Sequence, residues 1–523
     1  MSIRARLLLS GTLLAFVGSS VGGSSAVQAA ARLVPLAIQA PDTPAAPAGG
    51  AAACTAPTPD VSGTVKTYAY FHCYTPQQIA DAYDVTALHD SGDLGQGQTI
   101  VLVDSYGSPT AQQDLQFFHD TFFPTLPNPN FDEVYPNGAP TYNNTYHGNG
   151  LSGPAGAANW SGEATLDIEW SYAIAPLAHI VLLAVPPAET EGVQGFPNLF
   201  KAIQGAINTY PAGTVFSQSF GVTEQTFGGA GSTQTAKFDQ VYQAAAARGD
   251  TVLASAGDNG ASNTSKQHKD TTSYGFATTG WPATSPWVTA VGGTQLQHGW
   301  TWAPTSDQPF NADGSLNPAY FNYTDGGNSE AVWNESWLPA ATGGGPSTLY
   351  GPQPWQAPVQ SVIGTNARGI PDLAWNAAVN GGVLVWITAF PNYQRSGWHV
   401  YGGTSAASPQ IAGVVALANE QLAASGSKRT VGYLNPLLYQ IGATPGSASP
   451  TFTGSGDFRD IVPQTYGIYT LENNTLSANP DGSTPSGGVT GSPTLSGWDM
   501  TTGFGTPRAS TFVADLVAAV LNG

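Results

Sequence analysis

Three short stretches carry side chains that could do chemistry together. YGGTSAASPQ (401–410) sets Ser405 between glycines and alanines, just ahead of PQIAGVVALANEQL, which reads as an amphipathic helix with Pro409 in its first turn. The positive end of a helix dipole favours a developing alkoxide or oxyanion, so Ser405 is a candidate nucleophile, although close packing would also select small residues here. GEATLDIEWSYAIAP (162–176) reads as a helix on which Glu163 and Asp167, four apart, project from one face. One carboxylate could serve as base while the other orients it and tunes its pKa; taken alone, the pair would equally suit a solvated acidic face. SAGDNG (255–260) puts Asp258 at the end of a buried strand. There it is either a turn-forming residue or, if protonated, a hydrogen-bond donor to an oxyanion.

The elements that must position these groups are legible as an alternation. Apolar runs at GQGQTIVLVDSYG, HIVLLAV (179–185), GTVFSQSFG (213–221), DTVLASAGDNG (250–260) and WVTAVGGT (287–294) read as buried strands. Helical patterns such as TPQQIADAYDV, FPNLFKAIQGAINTY and TAKFDQVYQAAAARG fall between several of them, and SGWHVYGG reads as a strand ahead of Ser405. Buried strands alternating with helices predict an α/β fold, a doubly wound, mostly parallel sheet with helices on both faces. In such sheets the site lies at the carboxyl ends of the strands. Residues 295–360, rich in Trp, Pro and Gly, and residues 464–495 depart from the rhythm and read as surface loops.

Composition narrows the function classes. The 523 residues have 41% hydrophobic but only 9% charged side chains, with 63 Gly and 40 Pro, so a large core is wrapped in a weakly charged polar surface. A net charge of −19 argues against nucleic acid or an anionic membrane as partner, and it is compatible with work in acid. Residues 1–29 have the form of a secretory signal: Arg4 and Arg6, then LLLSGTLLAFVG, then Val27-Gln28-Ala29 as a cleavage site. No later stretch is apolar for long enough to span a bilayer, so a secreted, soluble and, by default, monomeric protein is expected. Residues 30–72 are Ala/Pro/Thr-rich and read as a linker or short pro-segment. The two cysteines, Cys54 and Cys73, are expected to form one disulfide in an oxidising compartment.

From about Tyr74 onward the chain resembles the sedolisins, the serine-carboxyl peptidases with a subtilisin-like fold. The resemblance runs through YTPQQIADAYDV, the Glu163–Asp167 helix, SAGDNG, WPATSPWVTAVGGT, EAVWNES, GGG and PWQ within 343–356, ARGIPDLAW, GGTSAASP, FRDIV and SGWDMTTGFG. It implies that residues 73–523 form a peptidase domain acting on protein or peptide substrates. It also implies that Ser405 attacks the peptide carbonyl, Glu163 takes and returns the proton, Asp167 hydrogen-bonds Glu163, and Asp258 stabilises the oxyanion. The chemistry suits acid, where a histidine base would be mostly protonated and a carboxylate can still accept a proton. Asp104, in VLVDSYG, falls where family members often extend the carboxylate network, and the network's tryptophan is replaced by Phe220. The resemblance further implies one structural Ca²⁺ in a C-terminal loop, held by the carboxylates of Asp460 and Asp499 and the carbonyls of Ile461, Leu495 and Gly497. Many family members carry a long folded pro-domain, for which residues 30–72 are too few.

Two other readings use the same residues. Asp104, His147 in YHGNG and Ser405 imitate the Asp, His, Ser order of subtilisins, which would place the optimum at neutral pH. An ionised Asp258 would then repel the oxyanion, and the Gly/Asn-rich surroundings of His147 offer no helix to hold an imidazole. Alternatively, 13 Trp and 21 Tyr could serve a catalytically inactive secreted binding protein built on this scaffold.

Overall fold

Along Thr99–Ser105, Ile100 and Leu102 pack into one hydrophobic core while Val101 and Val103 pack into another. The neighbouring strand His179–Val185 splits the same way, with Ile180 and Leu182 on one side and Val181 and Leu183 on the other. This period of two, with both faces apolar, is what a sheet covered on both sides requires. The computed structural model describes residues 34–40, 71–139, 154–186, 193–228, 232–263, 273–389, 396–476 and 489–523. The expected signal sequence, Cys54 and His147 lie outside these residues.

The main sheet has eight strands. Its order is Tyr323–Val332, Thr289–Trp302, Thr251–Ser255, Val215–Gln218, Thr99–Ser105, His179–Val185 and Asn130–Val134, with Leu373–Asn376 pairing the Thr289–Trp302 strand as well. All these pairs are parallel except the hairpin formed by Thr289–Trp302 and Tyr323–Val332. Helices Pro154–Ile174 and Thr404–Ala424 cover one face, and Phe196–Thr209 and Thr233–Arg248 cover the other. The expected doubly wound α/β architecture is therefore present. The first helix of the domain, Pro76–Ala82, is closed by Thr75 and Gln78 in a reciprocal capping box, as TPQQ foreshadows. Among the described residues no helix is long and apolar enough to cross a membrane.

Three expectations need correction. Residues 295–360 are not simply surface loop. The hairpin runs from Thr294↔Val332 to Trp302↔Tyr323, and Trp300, Trp302, Trp333 and Trp337 are all buried. Their aromatic area forms part of the core instead of decorating the outside. Within 464–495, Gln464–Tyr466 and Tyr469–Leu471 form a small antiparallel pair. The helix after Ser405 is not amphipathic: every residue from Thr404 to Asn419 is buried, because it runs between sheet and neighbouring helices. It begins at Thr404, so Pro409 falls in its second turn.

A second sheet leads into the helix that carries Ser405. Its order is Ile38–Gln39, Gly397–Gly402, Gly382–Ile387 and Cys73–Tyr74, so two stretches on either side of the undescribed residues 41–70 form its two edges. Cys73 is disulfide-bonded, and Cys54 is the chain's other cysteine.

Candidate active site

Gly403 turns the chain from the strand Gly397–Gly402 into the serine helix with φ 94°, a conformation open to glycine and strained for other residues. Ser405 follows in the first turn, fully buried, and its hydroxyl donates to the carbonyl of Ser219 at 3.3 Å. Ser219 lies in the break between Val215–Gln218 and Phe220–Thr223, two strands read from the sequence as one run.

Helix Pro154–Ile174 delivers Glu163 and Asp167 to this point, both at 0% exposure. Glu163 Oε2 accepts the amide N–H of Ala37 at 2.7 Å, and Asp167 Oδ1 accepts the hydroxyl of Ser219 at 2.9 Å. Asp104, at the end of its strand, is equally sealed, and neither of its oxygens has a hydrogen-bond donor. Glu163 Oε1 and Asp167 Oδ2 are also without donors. Burial pushes Asp104 up to about 8. Burial, followed by the negative charge of Asp104, holds Glu163 and Asp167 well above the usual carboxylate range. Ser405 and the Ala37 amide pull Glu163 back toward its ionised form, and Ser219 does the same for Asp167. With no cation among their partners in the described residues, three carboxyls so placed cannot all ionise; they must share protons and titrate as a group.

Asp258 approaches from the loop after Thr251–Ser255. Its Oδ1 accepts both the N–H (2.8 Å) and the hydroxyl (2.7 Å) of Thr404, leaving Oδ2 buried without a partner. Burial raises Asp258 to about 7, with the Thr404 bonds opposing the shift. Below that pH the carboxyl is neutral, and because Oδ1 already accepts two bonds, the proton belongs on Oδ2. A Cβ placed on Gly403 would lie 2.7 Å from this Oδ2 and would collide with the carbonyl oxygen of Leu36, so both oxygens border the same small space. That space can hold an oxyanion facing a neutral donor.

The structure thus brings Ser405, Glu163, Asp167, Asp258 and Asp104 together, and leaves His147 outside the described residues. Phe220 is buried and packs edge-on to Trp160, with centroids 6.4 Å apart, so an apolar ring takes the place expected of the network's tryptophan. The residue reading missed Thr404 and Ser219, which lock Asp258 and Asp167 in place. Both were in the quoted stretches, GTS and QSFG, but a hydroxyl's partner is set by tertiary placement and leaves no spacing signal.

At the C-terminal loop, Asp460 accepts the Gly497 N–H at 3.0 and 3.1 Å and the Ser496 hydroxyl at 3.2 Å. Asp499 accepts from Leu495, Thr501 and Thr502. Burial raises Asp460, and pushes Asp499 up to about 6. No hydrogen bond from a described residue ends on the carbonyls of Ile461, Leu495 or Gly497. Among the described residues no group of three or more His, Cys, Asp or Glu could hold a metal, so a cation here would depend on those carbonyls. Two buried carboxylates with free carbonyls make an all-oxygen donor set, which fits a hard cation.

Residues 71–435 match the family model described as the subtilase family, a span that contains all five clustered positions. Kumamolisin from Bacillus sp. (strain MN-32) is 30% identical over 376 residues, covering 70% of this chain and 55% of that relative. Sedolisin from Pseudomonas sp. (strain 101) is 28% identical over 277 residues, 51% of this chain and 39% of that one. Tripeptidyl-peptidase 1 from Homo sapiens is 28% identical over 392 residues, 73% of this chain and 58% of that one. The chain spans about half the length of the curated relatives it matches. A solved structure of Pseudomonas sedolisin (serine-carboxyl proteinase), complexed with two molecules of pseudo-iodotyrostatin, shares the fold with a TM-score of 0.59 at 22% identity, covering 86% of this chain and 99% of that chain.

Proposed function

The chain belongs to the subtilase family, among the sedolisins, and from that premise we propose that it is a secreted, acid-active serine-carboxyl endopeptidase cleaving protein or peptide substrates. The observation that carries this reading is a serine whose surrounding ionisable groups are buried carboxyls. Ser405 Oγ attacks the scissile carbonyl carbon as its proton passes to Glu163. The negative charge that develops on the carbonyl oxygen is met by the neutral carboxyl of Asp258. Glu163 then gives the proton to the leaving nitrogen, and the same groups serve the water that releases the acyl-enzyme. Asp167 and Asp104 act on Glu163 through charge, sharing protons with it as one group.

The pH dependence follows from the signs. Asp258 must be protonated to donate, so activity is lost as pH rises through about 7. Full protonation of the Glu163, Asp167 and Asp104 group removes the base, so activity also falls once the group takes up its last proton. A Ca²⁺, if bound, would be held by Asp460, Asp499 and the carbonyls of Ile461, Leu495 and Gly497, and would neutralise two buried carboxylates and tie the loop down. Residues 1–29 are proposed as the secretory signal, 30–72 as a short pro-segment and 73–523 as the peptidase domain. The deciding test is a pH–rate profile on a mixed quenched-fluorescent peptide library. A maximum in acid, lost near neutrality, is the expected result. A neutral or alkaline maximum would give the base role to His147, and no cleavage at any pH would point to an inactive binding protein.

A further inference from the structure

We propose that the strand Gly397–Gly402 selects substrates on the leaving-group side of the cleaved bond, and that His399 and Tyr401 make it prefer glutamine three residues past that bond. Residues 34–40 cross the active site in extended form and show the register a peptide takes there. The Leu36 N–H donates to the Ser219 carbonyl at 3.3 Å, the oxygen that also receives the Ser405 hydroxyl, and the Ala37 N–H donates to Glu163 Oε2 at 2.7 Å. A substrate in this register presents to Ser405 the bond that follows the position of Leu36. Ala37, Ile38 and Gln39 then mark the first, second and third positions beyond it.

Past the bond the backbone is held as an added strand. Ile38 stands opposite Gly402 and Gln39 opposite Tyr401, antiparallel, and the Ala40 N–H donates to the Val400 carbonyl at 2.8 Å. Main-chain bonds of this kind hold most sequences; the side chains that alternate between faces are what a wall can read. Ile38 packs against the apolar patch of Trp333, Ala377 and Ala378. A Cβ at 402 would lie 2.7 Å from the Ala377 carbonyl oxygen, so only glycine lets the strand run this close to the patch. Gln39 takes the other face, with Tyr401 directly across and His399 on the diagonal, both buried. Its Nε2 lies 2.7 Å from His399 Nδ1, and its Oε1 accepts the Tyr401 hydroxyl at 3.2 Å. An amide nitrogen has only hydrogens to offer, so in this arrangement the Nδ1 atom accepts and the ring carries its proton on Nε2. A protonated ring would donate instead, and the same carboxamide turned end for end answers it, giving its N–H to the tyrosine oxygen. Glutamine thus satisfies the wall in either state. Methionine and leucine fill similar space and forfeit both bonds.

The inference rests on the proposed peptidase reading, and the experiment separates the two. Full-length protein in acid is given quenched peptides of the frame Val-Pro-Leu-Ala-Ile-Xaa-Ala, with glutamine, methionine, leucine or alanine at Xaa, and the products are identified by mass. Wild type is expected to cut after the leucine, with kcat/KM for the glutamine peptide roughly 10-fold or more above that for methionine, as when hydrogen bonds to buried groups go unmade. His399→Phe and Tyr401→Phe should each shrink that ratio several-fold. The wild-type ratio needs no variant, so it stands however the substituted proteins fold. Equal kcat/KM for glutamine and methionine in wild type, cleavage at another bond, or a ratio that survives unchanged in both variants overturns the inference and spares the peptidase reading. Failure to cut these peptides or any member of a mixed library overturns both.

Discussion

Asp372 and Asp104 are both sealed at 0% exposure, yet the chain treats their charges in opposite ways. Asp372 Oδ2 receives Arg368 Nη2 at 2.7 Å and the Ala290 N–H at 2.7 Å, and its Oδ1 receives the Tyr439 hydroxyl at 2.9 Å. Glu330 is treated likewise, paired with Arg459 and bonded to Tyr83 and Thr506. Asp104 has no donor at all, and its neighbours Glu163 and Asp167 each keep one oxygen unpaired. The first arrangement keeps an ion buried by satisfying it; the second makes ionisation costly, so that protons stay within reach of Ser405. Equal burial therefore holds a satisfied ion in one region and a proton-sharing group of carboxyls in the other, and what differs is the supply of donors and cations.

The comparison can be broken first at the catalytic end. Ser405→Ala and Glu163→Gln should each lower kcat by roughly 10⁴-fold or more, with folding unchanged by circular dichroism. Near wild-type turnover in either would remove the special status of the unsatisfied region. At the structural end, Arg368→Met leaves Asp372 without its cation and should cost about 3–5 kcal/mol in denaturant unfolding. Asp104→Asn removes a carboxyl that has no donors, and should leave stability unchanged in acid and raise it at neutral pH. Asp258→Ala should cost about 10²–10³ in kcat. Asp258→Asn, whose amide keeps an acceptor for Thr404 and a donor that does not titrate, should retain more activity and lose the decline near pH 7.

The smallest effect is on stability against pH. Burial raises Asp104 to about 8, Asp258 to about 7, and Asp114 and Asp239 to about 6, from an ordinary value of 3.8. Raised folded-state values mean that the folded chain binds protons the unfolded chain has already released. Their contribution is complete below about pH 4 and is lost as pH rises toward 8. The melting temperature should accordingly fall from acid to neutral pH; a rise over that range would show that these carboxyls are satisfied by partners after all.

Much of this was legible in the sequence because it rests on local rules. HIVLLAV could be read as a strand because a run apolar on both faces has few other homes, and Glu163 and Asp167 share a face by helical spacing alone. The hairpin at 294–332 was missed because Gly299, Gly326 and Gly327 interrupt the strand signal, although tertiary packing gives Trp300 and Trp302 a core to fill. The Arg368–Asp372 pair sits inside ARGIPDLAW, a stretch picked out by resemblance alone, since its sense comes from Val288, Ala290 and Tyr439 far along the chain. Residues 34–40 read as compositionally bland linker, because the partners that order them lie more than a hundred positions away.

The strands flanking the cleft have a colloidal consequence. Phe220–Thr223 is covered on one side by Val34–Pro35 and Gly397–Gly402 by Ile38–Gln39, so displacement of residues 34–40 would expose a row of backbone donors and acceptors on each. Open rows of this kind add strands from whatever chain is nearby. Those edges would then be sticky toward other copies, so a chain lacking residues 34–40 should self-associate with concentration, whereas the intact chain carries its own cover.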